Sequence, residues 1–69
     1  MRLSARNQLA GTVAAIEVGA VMTVVKIALA GGQQITSSVT KEAVDELGLK
    51  VGSPVTVVVK STEVMLAVE

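Results

Sequence analysis

The sequence predicts an all-β domain, a five-stranded Greek-key barrel of the OB type with one short helix between its third and fourth strands. Three observations carry this expectation. Apolar segments rich in Val and Ile recur between Gly, Ser and Pro turn signals. Just one segment carries the caps of a helix. That segment falls after the third strand-like run and before the last two, which is the element order of a five-stranded OB barrel.

Leu9 to Val18 is apolar and becomes β-branched towards its end, and Gly19 supplies the turn into a second run from Ala20 to Ala30. The pair reads as a hairpin. The second run does not alternate between polar and apolar, which is the pattern of a strand covered on both faces, so one face is expected to meet a partner chain. Gly31-Gly32 marks the next tight turn, and Gln33 to Val39 reads as the third strand. Thr40 can then cap a helix over Lys41–Leu47, with acids in its early turns, an apolar stripe of Val44 and Leu47, and Gly48 to close it. Lys50 to Pro54 reads as a loop. Val55 to Lys60 and Val64 to Val68 complete the strands, joined by a turn at Ser61-Thr62-Glu63. There is no internal repeat and no low-complexity segment, so residues 1–69 are expected to form a single domain.

A 69-residue domain buries only about 60% of the surface its unfolded chain exposes, and is marginal by itself. Cysteine and histidine are both absent, which removes disulfides and structural zinc as remedies and leaves oligomerisation. The chain is 51% hydrophobic yet has no Phe, Tyr or Trp to form a dense core, so much of that apolar surface is expected to face other subunits. No run approaches the roughly 18–20 apolar residues that span a bilayer, because Glu17, Lys26, Gln33 and Gln34 interrupt the most hydrophobic region. The amino terminus has no secretory hydrophobic run. The expectation is a soluble, cytoplasmic protein with no membrane contact.

Six basic and six acidic residues cancel, which argues against a protein that tracks nucleic-acid phosphates. Without His or Cys there is no poised base or thiol nucleophile, and no carboxylate pair is anchored by a motif, so no enzyme activity is expected. Glu42, Asp45 and Glu46 cluster on the helix, but they read as a solvated face; with no nitrogen or sulfur ligand beside them a cation site is not expected. Gly31-Gly32 is a turn and not a phosphate loop, since no Gly-Lys-Ser/Thr follows.

Polar chemistry concentrates at the two ends of the chain, in Ser4-Ala5-Arg6-Asn7-Gln8 and Lys60-Ser61-Thr62-Glu63-Val64. An arginine fork, a lysine point charge and small hydroxyls suit a compact dianion, because charge-assisted hydrogen bonds are roughly twice as strong as neutral ones. Each residue also has a plainer reading. Arg6 and Lys60 can be solvated surface cations, Ser4 can start a strand, Ser61 can make a turn, and Thr40 can simply cap its helix.

With these two motifs in this order the chain resembles the molbindins, small molybdate-binding proteins built from one Mop-type, TOBE-related domain, and the resemblance runs nearly end to end. It implies an oxyanion held by Ser4 and Arg6, by Lys60 and the hydroxyl of Ser61, and by Thr40 from a neighbouring subunit, with Ser37 and Ser38 as alternative hydroxyls beside Thr40. It further implies molybdate or tungstate as the ligand, no organic cofactor, and a homo-oligomer, a hexamer arranged as a trimer of dimers. Two other classes compete with the expected storage or homeostasis role. One is an OB-fold nucleic-acid module, for which the chain lacks stacking aromatics. The other is a purely structural assembly module, in which Arg6 and Lys60 pair with Glu63 or Glu17 across an interface.

Overall fold

The computed structural model of the chain describes residues 4–69; the first three residues of the expected 1–69 domain lie outside the described residues. Four strands and one α-helix follow one another as β1 (Asn7–Val18), β2 (Met22–Leu29), β3 (Gln34–Thr40), α1 (Lys41–Leu47) and β4 (Pro54–Val59), and a short 3-10 turn covers Ser61–Glu63. Every pairing is antiparallel and the sheet order is β3-β2-β1-β4. The protein is thus an all-β antiparallel sheet with one short helix between its third and fourth strands.

β1 organises the sheet because it serves two partners. Asn7 to Thr12 pairs with β4, and Gly11 to Val18 pairs with β2. The register with β2 shifts between Val13 and Ala15, so Ala14 is the extra residue of a bulge. At the bulge the Val13 N–H donates to the Ser53 carbonyl at 2.9 Å, and the Gly52 N–H donates to the Val13 carbonyl at 2.8 Å. A bulge bends its strand and raises the local twist. The sheet curls as a result, until the free edges of β3 and β4 line one cleft of about 210 Å³ with Ser37, Val39, Val55 and Val57 on its walls.

The helix forms where its caps lie. The Thr40 side chain accepts a hydrogen bond from the Ala43 N–H at 3.0 Å, and Gly48 sits at φ 64°, where its N–H reaches the Asp45 carbonyl at 3.1 Å. Only glycine adopts that left-handed conformation without penalty. The expected apolar stripe is half realised. Val44 is buried in the core, whereas Leu47 is exposed beside the cleft.

The strands agree with the sequence in number through the fourth and differ at their ends. β1 starts at Asn7, two residues earlier than Leu9, because Asn7 and Gln8 find partners in Val59 and Val58. β2 occupies Met22–Leu29 rather than Ala20–Ala30, since Ala20, Val21 and Ala30 are taken into the flanking turns. β3 runs Gln34–Thr40 in place of Gln33–Val39. β4 begins at Pro54, where a proline is tolerated as the first residue of a strand, and ends at Val59, leaving Lys60 outside it. The expected cover on both faces of β2 is not present within one chain. Thr23, Val25 and Ile27 are buried, while Val24, Lys26 and Ala28 on the other face are half-buried.

The fifth strand does not form. Val64 to Val68 belongs to no ladder, and Met65, Leu66 and Val68 are 91%, 93% and 98% exposed. A strand exists only where a second strand takes its N–H and C=O groups. After the 3-10 turn this segment stays exposed and unpaired, so the barrel predicted from the sequence is an open, four-stranded sheet in the single chain.

The core is small. Val13, Val25, Ile27 and Val44 are buried, with Ile16, Leu29, Val39, Leu49, Val55 and Val57 packed around them. Thr23 is fully buried among these residues, and among the described residues its hydroxyl has no hydrogen-bond partner. An unmet buried donor costs about 1–3 kcal/mol, whereas Val has nearly the same shape and the same β-branched preference for strands. Thr23→Val is therefore expected to raise stability by about 1 kcal/mol, seen in thermal unfolding as a rise of several degrees. An unchanged or lowered midpoint would mean that the hydroxyl is satisfied in solution.

Candidate functional site

The two polar motifs, 54 positions apart between Arg6 and Lys60 in the sequence, are brought to one end of the sheet by the β1–β4 pair. The ladder ends at Asn7 opposite Val59, so Arg6, at a bend, and Lys60, which opens the 3-10 turn, each stand one residue beyond its last pair. Both side chains are exposed, and among the described residues neither cation lies within salt-bridge distance of a carboxylate.

The local backbone holds this arrangement from both sides. On the β1 side the Gln8 side-chain amide donates to the Ala5 carbonyl at 3.3 Å, bracing the bend that carries Ser4 and Arg6. On the β4 side Lys60 is extended at φ −66°, ψ 143° and opens the 3-10 turn, in which the Glu63 N–H donates to the Lys60 carbonyl at 2.9 Å. Ser4 and Ser61 are exposed beside the two cations, with hydroxyls that can donate to an anion oxygen. Two positive charges and two small donors at one end of the sheet form a surface suited to a compact dianion.

Thr40 is not part of this group within one chain. It ends β3 opposite Met22, whereas Arg6 precedes the first residue of β1, so the two sit at opposite ends of the sheet. At about 3.3 Å per residue, the 12 residues of β1 separate them by tens of ångströms. Its oxygen accepts the capping bond from Ala43, which leaves the hydroxyl hydrogen free to donate elsewhere. Of the alternative hydroxyls, Ser37 is half-buried on the wall of the cleft and Ser38 is exposed. The sequence analysis gave Asn7 no role. It is half-buried as the first residue of β1, between Arg6 and the β4 end, and its place inside the first polar motif was the available signal.

A curled antiparallel sheet of four strands with one short helix, carrying two exposed cations at one end, defines the class of small all-β domains. The chain belongs to the TOBE domain family, whose model matches residues 3–66. It is 48% identical over 66 residues to molybdenum-pterin-binding protein 2 of Clostridium pasteurianum, covering 96% of this chain and 97% of that one. Its fold matches the solved structure of MopII from the same organism with a TM-score of 0.91 at 46% identity, over 97% of this chain and all of that one. It also matches ModG, described as a cytoplasmic molybdate-binding protein and solved with molybdate bound, with a TM-score of 0.85 at 61% identity over 88% of this chain and 43% of that one. The resemblance seen in the sequence is thereby established at the level of family and fold, and the relatives carry the names of binding proteins.

Proposed function

We propose that this chain captures molybdate, and tungstate with it, as the free tetrahedral oxyanion, and that it does so in the cytoplasm for storage or homeostasis rather than catalysis. The observation that carries the reading is that the β1–β4 ladder brings Arg6 and Lys60, each next to its last pair, to the same end of the sheet. Two like charges there, with no carboxylate in salt-bridge reach among the described residues, suit a bound dianion. Ser4 and Ser61 add hydroxyl donors. The names of the relatives, which bind molybdenum species, support the same ligand.

The site is shared between subunits in this reading, because Thr40 belongs to it by resemblance but lies at the far end of the sheet in its own chain. That calls for a homo-oligomer, a hexamer built as a trimer of dimers, and a 69-residue chain whose described residues bury four apolar side chains gains stability from such assembly. Closure of the sheet to a five-stranded barrel belongs to the same reading. An inorganic anion suits the site better than a pterin, whose ring would call for an aromatic stacking partner that the chain does not contain. The absence of aromatics and the balanced charge likewise disfavour nucleic acid as the ligand.

Titration calorimetry with molybdate, tungstate, sulfate and phosphate tests the proposal. Sulfate shares charge and shape with molybdate but has shorter bonds to oxygen, so it cannot reach all donors at once. Each unmet donor costs about 1–3 kcal/mol, and two of them favour molybdate by roughly a hundredfold or more. Phosphate carries at least one proton at neutral pH and so presents a donor to a site made of donors. Sulfate displacing molybdate at comparable concentration would reduce the site to a generic anion surface, and no binding at all would favour a purely structural module.

A further inference from the structure

The stretch that carries Ser4 and Arg6 lies beyond the sheet. The β1–β4 ladder ends at Asn7 opposite Val59, and the backbone bends at Ser4 and again at Arg6. Residues past the end of a ladder have no pair to fix their backbone and need another tie. A site for a small rigid anion makes that need acute. Its donors must stand within about 0.5 Å of their working positions, held by groups that do not themselves touch the ligand. On the β4 side the 3-10 turn does this for Lys60 and Ser61, since the Glu63 N–H is bonded to the Lys60 carbonyl and the Val64 N–H to the Ser61 carbonyl.

On the β1 side one side chain is placed to do the same. Gln8 belongs to the ladder, opposite Val58, so its Cα is held by the sheet. From there its amide Nε2 reaches back three residues and donates to the Ala5 carbonyl at 3.3 Å. That carbonyl belongs to the peptide group joining Ala5 to Arg6, with Ser4 on its other side. Among the described residues no other side-chain hydrogen bond reaches residues 4–6. We propose that Gln8 is a positioning residue that sets the selectivity of the anion site, holding Ser4 and Arg6 at the spacing of the larger tetrahedral oxyanion. The inference rests on the oxyanion reading and adds to it the residue that fixes its geometry. With the brace in place, the smaller sulfate leaves donors unmet. Without it, the loosened stretch can close onto sulfate, while molybdate must first order that stretch, which lowers its affinity. Gln8 is exposed and its amide gives up water to make the bond, so the expected effect is moderate.

Competition calorimetry with molybdate and sulfate on the full chain reads affinity and selectivity together. Gln8→Met keeps the length of the side chain and removes its donor. It is expected to weaken molybdate binding about three- to tenfold and to narrow the molybdate-to-sulfate ratio by a similar factor, with the melting temperature nearly unchanged. Gln8→Lys supplies a donor again and adds a charge. Both dianions feel that charge alike, so the ratio, unlike the separate affinities, should return to the parent's value. A merely structural role for Gln8 would lower the melting temperature and leave the ratio alone, and that result overturns the proposal. So do a parent-like affinity and ratio in Gln8→Met, or a narrowed ratio that Gln8→Lys fails to restore. A parent chain that binds neither anion overturns the oxyanion reading itself.

Discussion

Arg6→Ala and Lys60→Ala are each expected to weaken oxyanion capture roughly ten- to a hundredfold, the cost of losing a hydrogen bond between charged groups. Exposure predicts more than the loss. Both cations lie in solvent, outside the ladder and the core, so removing either should leave the melting temperature nearly unchanged. Binding therefore falls while stability holds, which a general disruption of the fold would not produce. Lys50→Ala is the control. Lys50 lies in the loop before β4, at the opposite end of that strand from Lys60, where its backbone N–H is held by the Ser53 hydroxyl, and its loss should leave binding intact. Calorimetry at fixed ionic strength checks all three, because distant charges act through a field that salt screens. Equal losses for Lys50→Ala and Arg6→Ala would show a diffuse surface charge in place of a site.

What the sequence made legible follows from how local each signal is. The helix was readable to the residue because Thr40 and Gly48 act within four positions of the groups they cap. The strands were readable as segments, but their ends depend on partners elsewhere, and Asn7 joins β1 only because Val59 is there to receive it. The fifth strand failed for the same reason in stronger form. Val64 to Val68 has the composition of a strand, yet among the described residues of its own chain no strand pairs with it. The candidate site shows the converse. The chemistry of the two polar motifs grouped Arg6 with Lys60 and the resemblance sharpened that grouping, while the β1–β4 ladder brings the two motifs to one end of the sheet. Thr40 stands apart from them within one chain, and a residue supplied by another copy would leave no trace in the pattern of a single sequence.

The largest effect on stability is expected at Ile27. It is buried at the centre of β2, between Val13 on β1 and Ile35 on β3, in a core that has three other buried apolar residues among the described residues. Truncating a buried Ile to Ala costs about 2–5 kcal/mol, transfer and cavity together. At about 0.05–0.15 kcal/mol per residue a chain of this length has roughly 3–10 kcal/mol in all, so Ile27→Ala removes between a fifth and the whole of it. Denaturant unfolding should show the midpoint falling steeply with its slope preserved. Gly11 sharpens the argument, because a Cβ there would stand 2.6 Å from the Ile27 Cγ2 and 2.8 Å from the Ala28 carbonyl oxygen. Gly11→Ala should thus be destabilising alone and less so in the Ile27→Ala background, where the first clash disappears and the backbone clash stays. Additive losses would mean that the two residues do not press on each other in solution. Should Ile27→Ala instead unfold at the parent's midpoint, the stability of the folded chain would reside in contacts between subunits and not in this core.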